Sequence, residues 1–218
     1  MIRKESIALL KKSPYFTKQS LSLALGKEAD NLDYWIKKML GDGQLVALKK
    51  GLYISRDYLD MMSYEPTSTV KYYEYLANIL RYPSYLSLEY VLAKYNFIPE
   101  AVFSLTSVTT KSSRSYTNAI GMFSYRSLKQ SIFFGYESID FRGVTVKIAS
   151  LAKALFDFLY LRPFVSQWDM KDYLFSRGRI NWDVLNRDQK ADFNKIVERA
   201  GSKKIDKIAN FLIKEGVL

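Results

Sequence analysis

Residues 18–56, KQSLSLALGKEADNLDYWIKKMLGDGQLVALKKGLYISR, decide how the rest of the chain is read. Their spacing predicts two short helices, a turn and a β-hairpin with a basic tip. Thr17 can cap the first helix, because its hydroxyl can accept one of the free N–H groups at the helix start. Leu21, Leu23, Ala24 and Leu25 are the apolar content of that helix. Gly26 supplies the turn, where a residue without Cβ is favoured. In the second helix Leu32, Trp35, Ile36, Met39 and Leu40 fall at i, i+3, i+4, i+7 and i+8 and form one apolar stripe. The opposite face carries Lys27, Asp30, Tyr34, Lys37 and Lys38, with Asp30 also a candidate cap. Gly41-Asp42-Gly43 ends the helix. Gln44–Leu48 and Leu52–Ser55 read as strands joined by Lys49-Lys50-Gly51, with Gly51 able to take positive φ.

Helix, turn, helix and a hairpin with lysines at its tip is the outline of a winged helix-turn-helix. In such modules the second helix enters the DNA major groove and the wing touches phosphate. Read this way, Tyr34, Lys37 and Lys38 face the groove, and Lys49, Lys50 and Arg56 neutralise phosphates. Lys18, Lys27 and Asn31 complete the candidate DNA-binding set. The competing reading is a small helical core with an ordinary solvated lysine face. Asp30 and Asp33 weigh against a strongly basic reading helix, while the wing and the overall charge favour DNA.

The 218 residues hold 33 Lys and Arg against 22 Asp and Glu, a net charge of +11. That balance favours a polyanion such as nucleic acid, or an acidic protein. The excess is spread evenly, at +4 for residues 1–63, +3 for 64–147 and +4 for 148–218. Any basic patch must therefore be assembled by folding. The chain has no cysteine, which excludes disulfides and thiolate metal sites and fits the cytoplasm. It has no histidine, the commonest catalytic base and transition-metal ligand. The apolar run at the N-terminus is too short for a signal peptide. The longest apolar region, Val144–Leu161, is interrupted by Lys147, Lys153 and Asp157, so no membrane span is expected.

Ile2–Lys12 reads as an amphipathic helix with Ile7, Leu9 and Leu10 on its apolar side. Glu65-Pro66-Thr67-Ser68 is polar and turn-prone, and it marks the expected boundary between domains 1–63 and 64–218. Thr67 or Ser68 can cap a helix over about Val70–Tyr82, and Ser87 another through about Tyr95. Ala101–Thr110, Ser115–Tyr125, Ser131–Tyr136, Ser138–Phe141 and Val144–Ile148 are rich in Val, Ile, Thr, Tyr and Phe. They predict a small, mostly antiparallel sheet of four or five strands. Lys111–Arg114 is a loop with two positive charges, a candidate extension of the basic surface through Lys111 and Arg114. Ser150–Leu161 reads as the central helix of the second domain, and from Trp168 the chain reads as helical to its end, broken at Gly201-Ser202. The fold class is thus α+β, a winged helix followed by a mixed domain with a helical C-terminus.

No phosphate-binding glycine loop and no Asp-x-Asp pair is present. Gly201-Ser202 resembles the start of a nucleotidyltransferase motif, but no carboxylate pair follows it, so a break between helices is the better reading. Asp157 is the one acid inside an apolar helix, and Lys153 one turn earlier makes an ion pair the better reading than a catalytic acid. We therefore expect no enzyme, no metal and no cofactor. The 17 tyrosines and 13 phenylalanines raise RNA binding by base stacking, but most sit at core spacings.

Four segments in order resemble the AbiEi-type antitoxins, the transcriptional-regulator half of abortive-infection toxin–antitoxin pairs. Leu48-Lys49-Lys50-Gly51-Leu52-Tyr53 is similar to the family's "kGlY" hairpin, and Ser84–Leu92 to its "yiSl.saL" segment. Val108-Thr109-Thr110 resembles its strand before the basic loop, and Ile148–Tyr160 its "ia.pEKALlDllY" helix. The family's Pro-Glu is Leu151-Ala152 here, while Lys153, Ala154, Leu155 and Asp157 match. The resemblance covers about residues 1–163. It implies an N-terminal domain that binds double-stranded DNA at inverted repeats upstream of its own operon and represses it. It implies a C-terminal domain that counteracts a nucleotidyltransferase-like toxin, directly or indirectly. The alternatives are a winged-helix regulator with a ligand-sensing second domain, and an RNA-binding protein.

Overall fold

The computed structural model describes residues 11–99 and 102–218. The helix expected over Ile2–Lys12 lies, but for its last two residues, outside them. The chain divides into two compact units. One runs to Leu76 and takes in Tyr116–Met122; the other comprises Ala77–Ser115 and Phe123–Leu218.

The first unit opens with β1 (Phe16–Thr17) and α1 (Lys18–Leu25). Thr17 and Ser20 form a reciprocal cap: the Ser20 amide donates to Thr17 Oγ1 at 3.1 Å, and the Thr17 amide to Ser20 Oγ at 2.8 Å. Gly26 ends α1 at φ 60°, ψ 41°, the left-handed conformation in which a side chain would be strained. Then come α2 (Ala29–Gly41), β2 (Leu45–Lys49), β3 (Leu52–Ser55) and α3 (Arg56–Ser63). The three strands form an antiparallel sheet in the order β1-β3-β2, with Phe16 opposite Tyr53 and Val46 opposite Ile54. Phe16, Leu21, Leu25, Leu32, Ile36, Met39, Leu45 and Tyr53 close one core, with Trp35 and Leu40 packed against it. The predicted stripe of α2 is therefore its buried face. Leu23 is not part of the core; it is 79% exposed on the outer side of α1. Nor does Asp30 cap α2: Glu28 holds the cap position, and Asp30 lies in the first turn.

The stretch around the expected boundary at Glu65-Pro66-Thr67-Ser68 is two helices with a short break at Tyr64-Glu65. Ser55 caps α3 by accepting the Tyr58 amide at 3.1 Å, and α4 (Pro66–Leu80) begins at Pro66. Proline suits a first helical position, because its missing N–H would have no partner there. Ser68 does not cap this helix; its hydroxyl donates to Glu65 Oε2 at 2.7 Å. The Tyr58 and Tyr72 rings lie 5.2 Å apart, and Tyr72 OH donates to Pro14 O at 2.5 Å. These contacts hold the first half of α4 to the first unit, so the division falls after Leu76 rather than after Ser63.

The larger sheet has six strands: β4 (Ser84–Leu86), β5 (Ser104–Thr109), β6 (Arg114–Asn118), β7 (Gly121–Ser127), β8 (Tyr136–Phe141) and β9 (Val144–Ala149). Their order is β6-β7-β5-β4-β9-β8. The sheet is mixed, because β4 runs parallel to β9 while β4/β5 and β8/β9 are antiparallel. Ser115–Tyr125, read as one strand, is two strands around a turn. Ser131–Tyr136, read as a strand, is mostly a short 3-10 turn and coil that enters β8 at Tyr136. Ser87 is buried and does not cap α5 (Glu89–Lys94), whose cap position is Leu88.

Ser150 caps α6 (Leu151–Leu161), and every residue from Leu151 to Leu159 is buried, which makes it the central helix expected. α7 (Gln167–Asp172) continues as a π-helical turn through Arg177. The rest is not helical throughout: a break with a 3-10 turn at Trp182–Val184 precedes α8 (Arg187–Ala200). Gly201, at φ 56°, separates α8 from α9 (Lys203–Lys214).

Candidate nucleic-acid interface

In α2, about 100° per residue places Lys37, Asp30, Tyr34, Lys38 and Asn31 within an arc of about 120°. All five are exposed, and Tyr34 is 61% exposed. Tyr34 meets Trp35 edge to face, ring centroids 5.9 Å apart, so its ring is held at the surface. Lys38 Nζ lies 5.3 Å from the Trp35 ring centroid, which leaves its charge at the edge of the same face. Lys27 is half-buried in the turn before α2.

The hairpin tip lies at Lys49-Lys50-Gly51, where Gly51 takes φ 78° and a bulge follows Ala47. Lys50 is exposed, and Lys49 Nζ lies 5.7 Å from the Tyr116 ring centroid. Arg56 is not at this tip. It opens α3 at the far end of the hairpin, where its amide donates to Gln44 O at 2.9 Å. Four strand residues separate it from Gly51, roughly 13 Å of extended chain.

Lys18 is drawn into the frame rather than left free. Its backbone amide donates to Gly51 O at 3.2 Å, beside the tip, and its ammonium pairs with Asp33 of α2 at 2.6 Å. The hydrogen bond to the Asp33 carboxylate raises the Lys18 pKa above its ordinary value. One residue thus links the start of α1, the exposed helix and the hairpin tip, and it takes the Asp33 charge out of the face.

Asn118 and Tyr116 belong to this surface and were not among the residues singled out. Asn118 Nδ2 donates to Leu48 O at 3.1 Å, satisfying a carbonyl on β2, the outer strand of the small sheet. Seventy positions separate the two residues, and no local pattern could have joined them. Lys111 and Arg114 are exposed at the β5–β6 turn, in the second unit.

The second unit contains a buried polar cluster. Asp157 and Lys153 are fully buried and pair at 2.7 Å. Tyr85 OH and Ser87 Oγ donate to Asp157 Oδ2 at 2.9 and 2.8 Å, and Lys153 Nζ donates to Ile132 O at 2.9 Å. Burial pushes the Asp157 pKa up and the Lys153 pKa down, each opposed by the other's charge. Each charged end is matched by a partner charge and further hydrogen bonds, which is the arrangement of a structural pair.

Among the described residues no group of three or more His, Cys, Asp or Glu side chains is placed to hold a metal ion. No helix of the described residues is long and apolar enough to cross a membrane. Comparison with models of known protein families gives no match, and no curated protein matches the chain significantly in sequence.

Proposed function

We propose that the first unit is a winged helix-turn-helix that binds double-stranded DNA, with α2 as the reading helix and the β2–β3 hairpin as the wing. The observation that carries this reading is the pairing of two features of one frame. One is the exposed arc of Asn31, Tyr34, Lys37 and Lys38; the other is the Lys49-Lys50 tip, joined to it through Lys18. A helix face of this width suits a major groove, and lysines beside it suit the phosphates that border the groove. Arg56, at the other end of the hairpin, would meet phosphate only on a separate part of the duplex.

Following the AbiEi-type resemblance, the protein acts as an antitoxin that represses its own operon at inverted repeats. Its second unit counteracts a nucleotidyltransferase-like toxin, and it works in the cytoplasm as a binding protein rather than an enzyme. The Lys153–Asp157 pair fits that reading, because its polar atoms hold one another in the core instead of facing a substrate.

The test is binding of the full-length protein to the DNA upstream of its own gene and to a scrambled fragment, over a range of salt. Selective binding with a steep salt slope is expected. Equal weak binding to both fragments would reject the reading and leave the +11 charge as nonspecific attraction.

A further inference from the structure

The second unit carries an open groove of about 790 Å³ beside α9. Phe164, Met170, Ile208 and Phe211 supply its apolar lining, and Lys203, Lys207 and Lys214 its charge. No acidic residue lines it. Lys203, Lys207, Asn210 and Lys214 recur at i, i+4, i+7 and i+11, so they form one exposed line about 16 Å long. The other side of α9 is spent on the core through Ile205, Ile208, Ala209 and Leu212. Lys204 is not part of the line. Its ammonium donates to Tyr160 O and Arg162 O at 2.6 Å each, and burial lowers its pKa. An adjoining hollow of about 420 Å³ shares Gln167, Phe211 and Lys214 and adds Trp168, which is 83% exposed, with Lys171 and Glu215, whose charges pair with each other at 3.2 Å.

We propose that this groove docks an acidic amphipathic segment of a partner protein. Apolar side chains of the segment settle on Met170 and Phe211, which are part-exposed, and its carboxylates meet the lysine line. Charge complementarity selects the occupant. A second copy of this chain, itself at +11, would bring further positive charge to the line. Nucleic acid suits the site less well. No arginine lines the groove to fork a phosphate. The two aromatic rings that line the groove itself are already engaged: Phe211 packs on Phe175 at 5.9 Å, and Phe164 on Tyr173 at 6.2 Å. Methionine and isoleucine offer no stacking face. A lysine line of this length matches acids along one edge of a helix of about twelve residues.

The experiment titrates full-length protein into a fluorescent peptide of about twelve residues, with Glu and Leu at helical spacing. One control peptide replaces Leu by Ala and another replaces Glu by Lys. The Glu–Leu peptide should bind saturably, the Ala version about tenfold more weakly, and the Lys version not at all. K203E/K207E/K214E alters only exposed side chains, and circular dichroism verifies its fold. It should lose about tenfold or more in peptide affinity, while K49E/K50E keeps it. The K49E/K50E arm separates failure here from failure of the DNA reading. Equal binding by the triple variant, or equal binding of the Ala peptide, would overturn the proposal. So would displacement of the peptide by a single-stranded oligonucleotide, or a concentration-dependent dimer that the triple variant abolishes.

Discussion

Lys18 and Asp33 are joined Nζ to Oδ1 at 2.6 Å, the first residue of α1 to the first half of α2. Both are substantially exposed, so the pair adds little to stability. Its consequence is electrostatic. It occupies an ammonium that could otherwise meet phosphate and shields a carboxylate beside the exposed face of α2. The variant D33N should release Lys18 and remove that carboxylate. DNA affinity is expected to rise severalfold at low salt, with the slope of log affinity against log salt steeper by about one. An unchanged slope in D33N would mean that Lys18 lies outside the DNA footprint.

The hairpin lysines make a different prediction. Lys49 and Lys50 stand at the β2–β3 tip, and neither belongs to the core. K49E/K50E should weaken binding to all duplexes alike and reduce the salt slope by about two, because phosphate contacts carry affinity rather than sequence information. Asn31→Ala should act the other way. If α2 enters the groove as proposed, an exposed amide on it can bond an adenine edge, so its loss should lower discrimination at one base pair by about 1–3 kcal/mol and barely alter the slope. Parallel binding curves on specific and scrambled DNA separate the two effects. If K49E/K50E leaves affinity intact, the hairpin is not a wing.

These residues also mark what was legible in the sequence. The cap at Thr17, the turn at Gly26, the α2 stripe and the hairpin all rest on local rules, and each is found in place. The Lys153–Asp157 pair was legible for the same reason, being one helical turn apart. Contacts between distant residues were not. Asn118 on Leu48 and Ser87 on Asp157 join positions about seventy residues apart, and no periodicity announces them. β4 escaped because three residues are too few for a period, although it sits inside the sheet. The boundary at Glu65-Pro66 was misplaced because proline has two uses. It punctuates linkers, and here it starts a helix.

The tyrosines of the first unit predict an alkaline limit to its stability. Tyr75 is buried, and desolvation pushes its pKa up from 10.0 to about 12; Tyr72 is raised further by the same cause. Each phenol therefore keeps its proton in the folded state at pH values where the unfolded chain has lost it. The stabilising contribution of Tyr75 is complete below pH 10 and is lost as pH rises toward 12. Chemical denaturation at a series of pH values should show stability falling across that window. Tyr75→Phe, which cannot ionise, should flatten the fall. A variant with the same pH profile as the wild type would place the loss elsewhere.

The buried pair in the second unit gives the sharpest test of packing. Removing only the ammonium, in K153M, leaves the Asp157 carboxylate among Tyr85, Ser87 and apolar neighbours with no counter-charge. That should cost about 3–5 kcal/mol, because an unpaired buried charge loses its solvation without compensation. K153M/D157N should recover a large share, since the neutral amide still offers an oxygen to Tyr85 OH and Ser87 Oγ. The pH dependence has a defined sign. Burial raises the Asp157 pKa above 3.8, so in that range the folded state binds the proton more tightly than the unfolded state. Wild-type stability should therefore gain on that of D157N as pH falls toward 4. Urea denaturation of the four proteins at pH 7 and pH 4.5 measures both effects. A K153M protein as stable as the wild type would show that the pair is not the strut of the second core, and that Asp157 takes up a proton once the opposing Lys153 charge is gone.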